Sequence, residues 1–72
     1  MFTWNHRVLF EENDDPDFST YRFVEVNYDK KNRPTSYGEP FMVGNTPDEM
    51  QELLDRLQVA LAQPVLTIAD FK

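Results

Sequence analysis

A chain of 72 residues without a single cysteine must hold together on one small hydrophobic core, because no disulfide or cysteine-bound zinc can staple it. Its net charge of −6 and pI near 4.5 oppose nonspecific attraction to nucleic acid or anionic lipid, since phosphate binding takes clustered Lys and Arg. No apolar run approaches membrane length, and the residues after Met1 (Phe2, Thr3, Trp4, Asn5) have neither the basic nor the apolar part of a secretion signal. The expectation is one domain over residues 1–72, cytoplasmic, with a protein partner, no direct nucleic-acid contact and no membrane.

From Phe2 to Glu12 the residues alternate, with Phe2, Trp4, His6, Val8 and Phe10 on one face and Thr3, Asn5, Arg7 and Glu11 on the other. This predicts a half-buried strand; Leu9 interrupts the polar face, so that side is not wholly solvated. Glu11 to Asp17 is an acidic, breaker-rich stretch and predicts a loop. Phe18 to Asp29 reads as a second strand, rich in aromatic and β-branched residues. Val24, Val26 and Tyr28 share one of its faces and Tyr21 and Phe23 the other, so either a bulge switches faces or both faces are partly covered. The Val24, Val26, Tyr28 face is expected to meet the helix, leaving Tyr21 and Phe23, with Leu9 beside them, on an uncovered face.

Asp29 to Pro34 predicts a hairpin turn with Asn32 left-handed. A third strand is expected within Thr35–Gly44, where Gly38 and Pro40 make it an edge strand or restrict its pairing to Phe41–Val43. The stretch from Thr46 to Pro64 carries the clearest local signal. Thr46 is a hydroxyl N-cap, Pro47 suits the first helical position, and Glu49 completes a capping box. Met50, Leu53, Leu54, Leu57, Ala60 and Leu61 recur at helical spacing, with Leu54 and Leu57 expected against the sheet and Val59 nearly opposite them. Val65 to Ile68 predicts a short extended piece that joins the sheet or packs on a neighbour, with Phe71 as a last apolar anchor. The expected fold class is α+β: a three-stranded antiparallel sheet packed by one C-terminal helix, followed by the extended tail.

The Tyr28-Asp29 run with a polar turn ending in Pro34, Tyr37-Gly38-Glu39-Pro40, the Thr46-Pro47-Asp48-Glu49 cap and Ala60-Leu61 before Pro64-Val65-Leu66 together resemble short uncharacterised proteins of bacteria and their phages. That resemblance covers most of the chain and implies no particular activity. The order of three strands and a Thr-x-x-Glu-capped helix is also similar to the partial RNase H-like domain of HicB-type antitoxins, which implies an antitoxin-like inhibitor as one reading.

Catalytic chemistry has little to build on. His6 is the only histidine, and as a base it needs a nucleophile and an orienting group from elsewhere; a packed structural histidine between Trp4 and Val8 is the simpler reading. Asp15, Asp17 and Ser19 open like a calcium loop, but Thr20 stands where glycine is required and Val26 where the bidentate glutamate is required. Gly38 and Gly44 are too few for a phosphate loop. No catalytic, cofactor-binding or metal-binding residue is assigned, and no cofactor is expected. The candidate partner-binding residues are Leu9, Tyr21, Phe23, Phe41 and Val43, for a protein partner or a second copy of the chain in a homodimer. A rival reading is a nucleic-acid mimic that presents Glu11, Glu12, Asp14, Asp15 and Asp17 with Asp48, Glu49, Glu52 and Asp55 to a basic groove.

Overall fold

A computed structural model describes residues 3–71, so Phe2 lies outside the described residues. The alternating segment forms β1 (Thr3–Glu11), which pairs antiparallel with β2 (Thr20–Tyr28) in an unbroken register that sets Thr3 opposite Tyr28 and Glu11 opposite Thr20. Between them the acidic loop tightens into a 3-10 turn at Pro16–Phe18, where the Asp15 carboxylate accepts from the Asp17 amide at 3.1 Å. β3 (Pro34–Gly38) pairs antiparallel with β2 and lies at the sheet edge, as Gly38 and Pro40 require. Pairing stops at Gly38, so the expectation of a paired Phe41–Val43 is corrected: these residues lie in the connection that leads to the helix.

The turn before β3 is held by Asp29. Its Oδ1 accepts from the Lys31 and Arg33 amides at 2.8 and 3.0 Å, and Asn32 takes the left-handed conformation at φ 61°. These donors, the Arg33 amide foremost, hold the Asp29 carboxyl below the usual carboxylate range. The turn's contribution is therefore present above the carboxyl's unfolded pKa and is lost as pH falls through the folded value.

The helix α1 spans Pro47–Ala62. Thr46 Oγ1 accepts from the Glu49 amide at 3.2 Å, and the Glu49 carboxylate reaches back to the Asn45 amide, one residue beyond the usual partner in a capping box. Thr46→Ala should lower stability by about 0.5 to 2 kcal/mol. A thermal melt checks this, and an unchanged midpoint would mean that the cap bond does not hold the first turn.

After the helix, β4 (Leu66–Thr67) adds to the sheet parallel to β1, with Leu66 beside Leu9, and a 3-10 turn at Ile68–Phe71 follows. The strand order is β3-β2-β1-β4. The sheet is thus mixed and four-stranded, where three antiparallel strands were expected: of the two places foreseen for the tail, it takes the one in the sheet, along the free edge of β1.

The register settles which residues share a face. His6 and Val8 lie opposite Glu25 and Phe23, so Trp4, His6, Val8, Phe10, Tyr21, Phe23 and Glu25 point to one side. That side carries α1, which packs on β1 through Leu53, Leu57 and Ala60. Leu9, Val24, Val26, Tyr28 and Leu66 point to the other side and form a buried cluster on which Tyr37 and Phe71 pack. The expectation that Val24, Val26 and Tyr28 face the helix is therefore corrected. No bulge intervenes in β1–β2; both faces of β2 are apolar because each is used, one toward the helix side and one toward the tail.

Arg7 ties the two layers together. Its Nη1 donates to the Tyr28 hydroxyl at 3.0 Å and its Nη2 to the Pro64 carbonyl at 2.7 Å, while the Tyr28 hydroxyl donates to Asn5 Oδ1 at 2.7 Å. The end of the helix is thereby fixed to the middle of β1. No described helix is long and apolar enough to cross a membrane.

Candidate functional site

Because α1 lies over β1, it covers the helix side of β2 only in part. Tyr21 is 68% exposed, and its ring meets that of Phe10 at 4.8 Å between centroids. Phe23, beside Tyr21 on the same side and opposite Val8, is only half-buried. The helix contributes a second row. Leu53, Leu57 and Ala60 are buried, yet Met50, Leu54 and Leu61 are exposed, Leu54 to 49%. At about 100° per residue, those three share one flank, roughly 120° to 160° around the axis from Arg56. The apolar stripe of the helix is therefore wider than the strip of sheet it covers. Leu54 does not belong to the core as expected, and it joins Met50 and Leu61 as surface.

The five residues expected to bind a partner do not form one surface. Leu9 is fully buried on the tail side, out of reach of any partner while the fold holds. Tyr21 and Phe23 stand on the helix side, not on the face away from it. Phe41 and Val43 are exposed in the connection after β3, with Met42 between them. Phe41 and Val43 also line a hollow of about 260 Å3 with Trp4, Glu25, Glu52 and Leu53, so the connection lies on the helix side as well.

His6 sits on the floor of that hollow and of a neighbouring one of about 460 Å3 bounded by Trp4, Asn5, Asp55, Arg56, Val59 and Gln63. It is 5% exposed, and neither ring nitrogen has a hydrogen-bond partner. Its Nε2 stands 4.0 Å from Glu25 Oε1, too far for a hydrogen bond. The Trp4 ring meets the His6 ring edge-on at 5.5 Å, and the Arg56 guanidinium lies 5.9 Å from the Trp4 ring centre. Among the described residues, no group of three metal-ligating side chains comes together.

The acidic residues separate into two groups with different local duties. Glu11 pairs with Arg22, and its side chain points to the tail side; Asp15 caps the 3-10 turn. Glu49 caps α1, Glu52 lines the hollow at Trp4, and Asp55 accepts from the Gln51 side-chain amide at 3.0 Å. Trp4 and Glu11 mark opposite ends of β1, on the order of 20 Å apart along the strand, so the loop carboxylates and those of the helix do not merge into one band.

Three participating residues were not evident from the sequence. Glu25 looked like an ordinary polar residue within a strand, and only the pairing with His6 across β1–β2 places it beside a buried imidazole. Leu54 and Leu61 were part of a periodic stripe, and their exposure depends on how much sheet the helix covers. Comparison with protein-family models, with curated proteins and with solved structures finds no match.

Proposed function

We propose that the chain is a non-enzymatic, cytoplasmic interaction protein that docks a basic, amphipathic segment of another protein along its helix side. The observation that carries this reading is the apolar surface left in water on this side: Tyr21 with the half-buried Phe10 and Phe23 on the sheet, and Met50, Leu54 and Leu61 along one flank of the helix. An apolar strip beside a helix suits a partner helix with anchors every three or four residues. Charge selects the partner: the chain carries −6, so a segment with Lys and Arg among its apolar anchors is favoured. The same charge opposes a second copy of the chain, because two like-charged surfaces would have to meet. In a phage or mobile-element setting, such a domain would bind and modulate a host protein.

The mimicry reading gains less support, because its carboxylates are split between the two ends of β1 and several are engaged in caps and pairs.

A synthetic amphipathic peptide of about 18 residues, with Leu at helical spacing and Lys elsewhere, tests the reading by calorimetric titration. Tyr21→Glu and Leu54→Glu should each weaken binding by about tenfold or more, while Lys31→Glu, in the turn before β3, should leave it unchanged. Equal binding by both strip variants, or by a peptide with the same residues in scrambled order, would leave only charge attraction. Sedimentation of the free protein should give a monomer, and a dimer broken by Tyr21→Glu would make the occupant a second copy.

A further inference from the structure

We propose that the hollow between Trp4, Phe41, Glu25 and Glu52 is a receptor for one cationic side chain, an arginine guanidinium by preference, and that His6 forms its floor. The proposal rests on the reading above in that the cation would belong to the docked basic segment. The geometry itself is independent of the apolar strip.

Three features converge. First, the carboxylates lack cationic neighbours: among the described residues, neither Glu25 nor Glu52 has a lysine or arginine within salt-bridge distance, although both line a hollow that Arg56 also borders. Second, the walls are aromatic. Trp4 and Phe41 line this hollow, and both also line the adjoining one over Glu25, Asn27 and Gly38. The Trp4 ring already accepts a guanidinium from within the chain, since Arg56 stands over it, which shows that the ring is presented in a way a planar cation can use.

Third, His6 is an unpartnered polar side chain in a buried place. An imidazole whose two nitrogens both lack partners pays the desolvation cost of each, and structures of this kind ordinarily satisfy such groups. In neutral His6 one nitrogen is an acceptor. The separation of 4.0 Å between its Nε2 and Glu25 Oε1 is too wide for a direct bond, yet narrow enough for one N–H-bearing group to serve both. Glu25 is the means of access, with its side chain 26% exposed while that of His6 is 3% exposed. The cation is received first by the carboxylate, which then turns to let a donor reach the imidazole. Guanidinium fits better than ammonium, because it is planar against Trp4 and carries donors in several directions at once.

Trp4 is the only tryptophan, so its emission reports on the hollow directly. The probes are N-acetyl-arginine amide and its neutral isostere N-acetyl-citrulline amide, titrated at matched ionic strength. The arginine compound should change Trp4 emission saturably, with an apparent affinity about three- to tenfold above that of the citrulline compound. Glu25→Gln should abolish this preference, and Glu39→Gln, on the edge segment where it pairs with Arg22, should preserve it. Equal responses to both compounds, or a preference that survives Glu25→Gln, would overturn the proposal. The two readings fail separately. Lost peptide binding in Tyr21→Glu without any arginine preference sinks the receptor alone, and an arginine preference with unaltered peptide binding in the strip variants sinks the docking strip alone.

Discussion

Leu57→Ala is expected to cost about 2 to 5 kcal/mol, through lost burial and the cavity left between helix and sheet. Leu57 is 8% exposed on the flank of α1 that lies on β1, and in a domain this small such a loss is a large part of the total stability. Leu54→Ala, three residues earlier in the same stripe, should cost about 1 kcal/mol or less, because Leu54 is half in water and alanine favours the helix. Urea titration of the two variants under identical conditions checks the pair. Equal losses would mean that the helix is rotated from the described orientation and that Leu54, too, faces the sheet.

Leu9→Ala should be as damaging, at about 2 to 5 kcal/mol, and for a different layer of the protein. Leu9 has no exposed surface, and it lies beside Leu66 at the β1–β4 pairing and within the cluster of Val24, Val26 and Tyr28. A side chain so placed on the face away from the helix matters only if the C-terminal tail covers it. The loss should appear in thermal unfolding and should be smaller in a Phe71→Ala background, since Phe71 packs on the same cluster and neighbours do not contribute additively. Near-native stability of Leu9→Ala would mean that the tail-side cluster holds little of the fold.

The local elements were legible because each is written in short-range chemistry. Thr46, Pro47 and Glu49 specify the helix start, Asn32 marks the left-handed turn, and alternation from Trp4 to Phe10 marks a strand with His6 and Val8 inward. Gly38 and Pro40 likewise indicated an edge. What was not legible is which face of β2 meets which layer. Val24 and Val26 carry no label distinguishing a helix from a six-residue tail as cover, and Leu66 and Phe71, spaced five apart, show no pattern that announces a second lid. The candidate surface inherited that ambiguity. Tyr21 and Phe23 were found as an apolar pair, but their side of the sheet, their separation from Leu9 and their company with Leu54 and Leu61 depend on register and on the width of sheet the helix covers. The His6–Glu25 pairing is likewise a cross-strand relation between residues far apart in the chain, and nothing local to either residue points to it.

The central claim is that a basic amphipathic segment lies along the helix side of the sheet. Amide chemical-shift mapping of the isotopically labelled protein, titrated with the Leu/Lys peptide, tests it most directly. The account predicts saturable shifts at Phe10, Tyr21, Phe23, Met50, Leu54 and Leu61, with Val24, Val26 and Leu66 on the tail side unmoved. Shifts confined to the acidic loop from Glu12 to Asp17, or spread evenly over both faces, would contradict it.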